Sequence, residues 1–195
     1  MDKCYFHKSW RVEPFEKVVF DKTGGNPKIK ASDYLEFGLL PVIDQGQKDI
    51  AGYVDDVNLG CNAPLPCIIF GDHTKVFKFV ETPFVIGADG TKVLVPSSSL
   101  NPKYLFYYLK KVKLPDDVGY SRHFKFLKEV TIPIPPMEIQ KKIADTLDKA
   151  QELIDKRKQQ IEMLDEFLKS VFLDMFGDPV SNPKGWPEVP FTANF

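Results

Sequence analysis

The chain of 195 residues contains two different patterns of apolar and polar residues. From Met137 to Phe176 no glycine or proline occurs, and from Leu147 onward apolar residues recur at alternating spacings of three and four. They occupy positions 147, 150, 154, 161, 164, 168, 171 and 175, and Arg157 fills the one remaining position of the repeat. These are the a and d positions of a coiled coil, so we predict one long α-helix over 137–176. At ~1.5 Å per residue it is about 60 Å long, and its apolar stripe needs a partner.

Residues 1–136 have a different pattern, in which short apolar runs alternate with turn signals. The runs are 18–20, 39–43, 67–70, 76–80, 84–86 and 93–95, with glycine, proline and asparagine between them. Such runs are typical of β-strands. Asn101 and Pro102 then supply the N-cap and the first residue of a short helix. We therefore predict an α+β fold, with a β-rich domain over 1–136, a long coiled-coil helix over 137–176 and a last segment over 177–195.

A short motif occurs near both ends of the chain. Lys8-Ser9-Trp10 precedes Pro14-Phe15, and Lys184-Gly185-Trp186 precedes Pro190-Phe191 at the same offset. The second copy lies where another copy of the domain would begin, so we interpret 177–195 as the start of a second repeat or as a tail. Because the motif is short, chance or a common entry motif is the alternative.

Composition and charge narrow the class of protein. No apolar run approaches the ~20 residues of a membrane-spanning helix, and residues 1–5 lack the apolar core of a signal peptide. The three cysteines, Cys4, Cys61 and Cys67, show no paired short spacing, so we interpret them as reduced thiols of a cytoplasmic protein. The net charge is −1, yet residues 101–128 carry seven basic and two acidic side chains. This stretch allows a local basic face, and an ordinary solvated surface is the alternative.

Several segments, in order along the chain, carry a resemblance to a known family. They are Pro41–Gln47, Ile50–Tyr53, Phe70–Thr74, Gly119–Lys125, Ile132–Pro136, Phe176–Pro179 and Asn182–Trp186. Together with the long helix they resemble the specificity subunit of type I restriction–modification systems. Two features differ from that family. The helix begins Met137-Glu138-Ile139-Gln140, where adjacent Glu-Gln is more usual, and the chain has one domain and one helix where typical members have two of each.

The resemblance implies a DNA-binding subunit without catalytic activity of its own. Its target recognition domain would read one half of a bipartite site in double-stranded DNA, and its helix would act as a spacer. Methyltransferase (modification) subunits would bring S-adenosylmethionine, and a restriction/translocase subunit would bring ATP and Mg²⁺, so no cofactor is expected in this chain. A stand-alone coiled-coil DNA-binding dimer and a structural adaptor are the alternatives.

The apolar stripe of the long helix is the predicted assembly surface. Burying each aliphatic side chain is worth ~1.5–3 kcal/mol, and one helix per chain favours a two-fold homodimer with antiparallel helices. The residues predicted to form this contact are Leu147, Ile154, Arg157, Ile161, Leu164, Leu168 and Val171. Packing against the chain's own domain or a modification subunit is the alternative. Arg157 either extends to solvent or pairs with a carboxylate across the contact and fixes its register.

Three polar loops of the first domain carry residue types suited to DNA. Arginine binds guanine and glutamine binds adenine through paired hydrogen bonds, and lysine binds phosphate. The predicted DNA-binding residues are Gln45, Gln47, Lys48, His73, Lys75, Ser121, Arg122, His123 and Lys125. Arg122 is the strongest candidate, because Arg–guanine pairs are the commonest specific contacts. Ordinary solvated turn polarity is the alternative for each loop.

Apparent catalytic motifs have simpler explanations. Asn101-Pro102-Lys103-Tyr104 differs at Lys103 from the Asn-Pro-Pro-aromatic motif of amino-methyltransferases, and Asn-Pro is already explained as a helix cap. The three histidines, His7, His73 and His123, are scattered and lie near no cysteine pair. We therefore predict no enzyme activity and no metal site.

Overall fold

The computed structural model describes residues 10–87, 89–115 and 122–187. These residues form ten strands, four α-helices and two short 3-10 helices (Ala31–Asp33 and Val57–Leu59). In chain order, the strands and α-helices are β1 (Arg11–Pro14), α1 (Phe15–Val18), β2 (Val19–Asp21), β3 (Lys28–Ile29), β4 (Leu40–Ile43), β5 (Gly52–Val54), β6 (Cys67–Gly71), β7 (Phe77–Val80), β8 (Val85–Gly87), β9 (Thr91–Pro96), α2 (Pro102–Lys111), α3 (Phe124–Lys128), β10 (Thr131–Ile134) and α4 (Met137–Phe176). The predicted α+β class, a β-rich domain followed by one long helix, is confirmed. The chain divides into two compact units between Leu147 and Asp148.

Two four-stranded sheets form the centre of the first unit. The first has the order β2-β9-β6-β7 and is antiparallel throughout, and the second has the order β3-β8-β4-β5, in which β8 pairs in parallel with β3 and β4. Side chains alternate between the faces of β6. Cys67 and Ile69 belong to a cluster with Ile43 and Ile86 of the second sheet, whereas Ile68 and Phe70 belong to the cluster of the helices. Strand β6 is therefore buried on both faces.

Helix α2 joins the first sheet to the two-stranded ribbon of β1 and β10. It begins where the sequence predicts, with the Asn101 side chain accepting a hydrogen bond from Tyr104 N at 3.0 Å. Two tyrosine hydroxyl groups of α2 donate hydrogen bonds to the backbone of β10. Tyr104 Oη donates to Pro133 O at 2.9 Å, and Tyr108 Oη donates to Thr131 O at 2.7 Å. These bonds hold the segment that leads into α4.

The first turns of α4 belong to the same unit as the sheets. Ala144 is 2% exposed and packs in the cluster that contains the α2 side chains. The side chain of Gln140 is fully buried and hydrogen-bonded to three backbone groups of the domain. The compact domain therefore extends into the helix as far as Leu147. The functional division at 136 stays a prediction.

The second unit contains the rest of α4 and a segment that closes its carboxyl end. Gly177, at φ +79°, ends the helix in the left-handed conformation that glycine adopts without strain. Trp186 Nε1 then donates to Phe176 O at 2.8 Å, and Lys184 Nζ donates to Met175 O at 2.9 Å. The Lys-Gly-Trp motif near the end of the chain therefore caps α4. In the part of the chain that the structure describes, none of the helices has the length and hydropathy that a membrane span requires.

Candidate nucleic-acid interface

Gln45 joins the loops that follow β4, β6 and β8. Its Nε2 donates to Asp89 O at 2.8 Å, and its Oε1 accepts from His73 N at 3.2 Å. Thr74 Oγ1 donates to the backbone oxygen of Gln45 at 2.6 Å. The loops approach so closely that a Cβ on Gly90 would lie 2.8 Å from Gln45 and from His73. Residues separated in sequence thus meet at one end of the domain.

The third predicted segment is attached to the same place through Asp72. His123 N donates to Asp72 O at 2.9 Å, the His123 Nδ1 atom lies 3.0 Å from that oxygen, and Phe124 N donates to Asp72 Oδ1 at 2.7 Å. Residues 122–125 therefore lie beside the turn between β6 and β7. We call the combined face formed by residues 45–49, 72–75, 89–90 and 122–125 the loop surface.

A buried lysine, Lys78, contacts the start of the loop that follows β4. Lys78 is 5% exposed, its Nζ lies 3.6 Å from Asp44 Oδ1, and it also donates to the backbone oxygen of Lys48. Burial lowers the pKa of Lys78, while the charge of Asp44 acts in the opposite direction. Since Lys78 lies on β7 and Asp44 follows β4, this ion pair links the two sheets and fixes the start of the loop.

The predicted DNA-binding residues divide into two groups in the structure. Gln47, Lys48, Arg122 and Lys125 are exposed, and His73 and Lys75 are partly buried. By contrast, the amide of Gln45 is bonded within the chain and His123 is only 4% exposed, so both side chains hold the loop surface together. Ser121 lies outside the described residues. Whether any of these side chains contacts DNA stays a prediction.

Two details of the loop surface differ from the sequence interpretation. Lys125 lies on α3, a five-residue helix, whereas the sequence interpretation placed it in a loop. Lys110, in the last turn of α2, lines a cavity of about 370 Å³ together with Gln47 and Lys75. Lys110 was absent from the predicted set, although it belongs to the basic stretch 101–128 that the sequence already indicates.

The apolar stripe of α4 is exposed in the described part of the chain. Ile161 and Leu164 are each 60% exposed and Leu168 is 64% exposed, while Leu147 and Val171 are partly buried. Arg157 is exposed and donates to Gln160 Oε1 at 2.9 Å on the same helix. Further large apolar side chains of α4 are exposed outside the predicted repeat. Leu153, Phe167 and Phe172 flank the stripe, whereas Met163 and Leu173 lie on other faces of the helix.

The β-rich domain and the first part of α4 match a known protein family. A sequence profile of the type I restriction modification DNA specificity domain matches residues 14–163. The chain belongs to this family. The resemblance of the sequence segments to type I specificity subunits is thereby confirmed.

Individual members of the specificity family give the same result. The type I restriction enzyme MjaIX specificity subunit of Methanocaldococcus jannaschii is 30% identical over an alignment of 219 positions, which covers 92% of this chain and 50% of that protein. A type I restriction enzyme specificity subunit of Escherichia coli is 27% identical over 135 residues, covering 62% of this chain and 33% of that protein. The chain thus spans half or less of the length of these curated relatives.

A solved member of the family shares the fold of the chain. The type I restriction–modification S subunit of M. genitalium superposes with a TM-score of 0.62 and 18% sequence identity, covering 87% of this chain and 46% of that one. At this identity the similarity concerns the fold alone. It supports the α+β assignment of this specificity domain and its long helix.

Among the described residues, no group of three histidine, cysteine, aspartate or glutamate side chains is placed to hold a metal ion. The chemistry that the loop surface offers is hydrogen bonding and charge, with the exposed carboxylates Asp49 and Asp89 beside its cationic groups. Exposed Arg122, Lys48 and Lys125 supply cationic donors, and exposed Gln47 supplies an amide that both donates and accepts. These groups suit the base edges and phosphates of DNA.

Proposed function

We propose that the chain is a DNA-binding specificity subunit of a type I restriction–modification complex. In this proposal the loop surface reads one half of a bipartite DNA site, and the chain catalyses no reaction itself. The single observation that carries the proposal is the loop surface, since interlocked loops present exposed Arg122, Lys125, Lys48 and Gln47 on a domain of the specificity family.

The roles of the exposed side chains follow from their chemistry. Arg122 is suited to guanine O6 and N7, and Gln47 to adenine N6 and N7, through paired hydrogen bonds in the major groove. Lys48 and Lys125 are suited to phosphate oxygens, which position the protein without selecting a sequence. Gln45 and His123 act indirectly, because their contacts with the loop backbones hold those four side chains in place.

We propose that α4 is the spacer and that its stripe pairs with α4 of a second copy in the antiparallel direction. Charge supports this direction. Residues 148–160 carry four basic and three acidic side chains, whereas residues 161–176 carry one basic and four acidic. Antiparallel helices place the more basic half of one copy against the acidic half of the other, and parallel helices place the two acidic halves together.

The catalytic partners in this proposal are methyltransferase subunits, which bring S-adenosylmethionine, and a restriction/translocase subunit, which brings ATP and Mg²⁺. Large apolar side chains of α4 are also exposed outside the a and d positions that a two-helix contact covers, and they support a further partner on α4. The complex would work in the cytoplasm, where its DNA lies.

Solution mass and DNA binding together test the proposal. Light scattering would measure the chain alone and after mixing with the modification subunit of the same system. We expect a dimer that takes up modification subunits and binds duplex DNA with an affinity that falls steeply with salt. A DNA-binding dimer that takes up no modification subunit would favour the stand-alone regulator. Absence of salt-dependent DNA binding in every assembly would contradict the proposal and favour an adaptor.

A further inference from the structure

Gln140 is a fully buried polar residue in the first turns of α4, 0% exposed. Its Oε1 accepts a hydrogen bond from Asn101 N at 2.7 Å. Its Nε2 donates to Ser99 O at 2.9 Å and to Pro135 O at 2.8 Å. The amide nitrogen and oxygen are therefore both bonded to backbone atoms of the domain. These bonds fix the rotamer of the side chain and, through it, the position of this turn of the helix.

The three backbone groups belong to segments that converge on the start of α4. Ser99 and Asn101 form the turn that begins α2, and Pro135 lies between β10 and α4. The same connection is held a few residues earlier by Tyr104, which binds Pro133 O. Proline restricts the backbone of the connection, and Gln140 binds its last turn to the domain. The start of α4 is thus held both by the restricted backbone of the prolines and by the side-chain hydrogen bonds of Gln140 and Tyr104.

We propose that Gln140 is a positioning residue that fixes the orientation of the first turns of α4 on the domain and so determines the spacing between the half-sites that the assembly accepts. The inference rests on the proposed function of α4 as a spacer. A helix of about 60 Å amplifies small changes at its start. A tilt of about 10° moves its far end by about 10 Å across the helix axis, and the component along the DNA changes the spacing by up to about three base pairs.

A residue that only stabilises the fold would have a different effect. Its loss would lower the melting temperature and the amount of active protein, but the molecules that remain folded would select the same spacing. Loss of a positioning residue leaves the half-site sequence unchanged and broadens the spacing, because none of the three backbone groups that the Gln140 side chain binds belongs to the loop surface. The distribution of selected spacings therefore separates the two roles.

The test compares wild type, Gln140→Leu and the control Gln159→Leu, which makes the same chemical change at an exposed position of α4. Each protein, in the assembly that binds DNA, selects from a pool of random-sequence duplexes, and the bound fraction is sequenced. We expect wild type and the control to enrich one half-site motif at one spacing. For Gln140→Leu we expect the same motif, with the preference over spacings one base pair longer or shorter reduced about tenfold.

The outcomes separate this inference from the proposed function. If wild type enriches no motif, the proposed function fails and the spacing role with it. If wild type enriches a spaced motif and Gln140→Leu selects the same single spacing, only the inference is overturned. Should Gln140→Leu not fold, Gln140→Glu decides in the same assay, since it keeps the acceptor for Asn101 N and loses the donors to Ser99 O and Pro135 O. An unchanged spacing with that variant also overturns the inference.

Discussion

Replacing Ile154 and Ile161 by aspartate should abolish the proposed dimer. The two side chains are 50% and 60% exposed in the single chain. Complete burial of an isoleucine is worth ~1.5–3 kcal/mol, so covering the exposed half contributes about 1 kcal/mol. A two-fold dimer covers four such side chains, and their loss costs about 4 kcal/mol, a factor of about 10³ in the dissociation constant. The four introduced carboxylates repel one another and increase the loss.

Sedimentation equilibrium over a range of protein concentrations would measure the dissociation constant. The matched control is Gln159→Asp with Ser170→Asp, because both positions are exposed on α4, lie away from the predicted repeat and receive the same number of charges. We expect the control to remain a dimer and the stripe variant to be a monomer with an unchanged circular dichroism spectrum. A stripe variant that dimerises as tightly as the control would refute the assignment of this contact.

Three further predictions concern the first unit. Arg122→Ala should weaken binding to the selected DNA sequence by ~1–3 kcal/mol. Lys125→Ala should instead weaken binding to every DNA sequence alike and reduce the salt dependence of the affinity, as binding titrations at several salt concentrations would show. Burial lowers the pKa of Lys78, so the unfolded chain holds this proton to higher pH than the folded chain. The free energy of unfolding of wild type should therefore rise relative to Lys78→Met as the pH increases toward 10.5, and a constant difference in denaturant melts would contradict the shift. Burial raises the pKa of Cys67 to about 12, so its thiol should react with a disulfide reagent only after unfolding. Rapid labelling of the folded chain in a Cys4→Ser, Cys61→Ser variant, in which Cys67 is the remaining thiol, would show otherwise.

Elements with a strong local signal were predictable from the sequence. The bounds of α4 follow from a stretch without glycine or proline and from the heptad spacing. Strand β6 follows from a continuous apolar run, which both of its buried faces explain. The prediction missed β1, β3 and β5, which are only two to four residues long and give little local signal. Strands β1 and β3 are specified by pairing with the distant β10 and β8, and β5 by pairing with β4. Helix α3 was missed because five residues without a side-chain cap give no periodic signal.

The candidate site was predictable only in part. Residue type and turn context were enough to select Gln47, Lys48 and Arg122, and the structure places all three at the surface. The same reasoning selected Gln45. Its amide bonds to Asp89 and His73, which lie 44 and 28 positions away along the chain, and no local pattern shows such contacts. Gln140 was not selected, because a glutamine near the start of an amphipathic helix is usually solvated.

The loops of the loop surface are held largely through backbone atoms, and this leaves the surface open to evolutionary change. The Gln45 side chain binds the oxygen of Asp89 and the N–H of His73, and Lys78 binds the oxygen of Lys48. The side chains at 48, 73 and 89 can therefore be exchanged without breaking those bonds. The constrained positions are those whose side chains make the bonds or whose size limits the approach of the loops, namely Gln45, Asp72, Thr74, Lys78 and Gly90. Under the proposed function, new DNA preferences can thus arise by substitution at positions 48, 73 and 89 without a change in the way the domain folds.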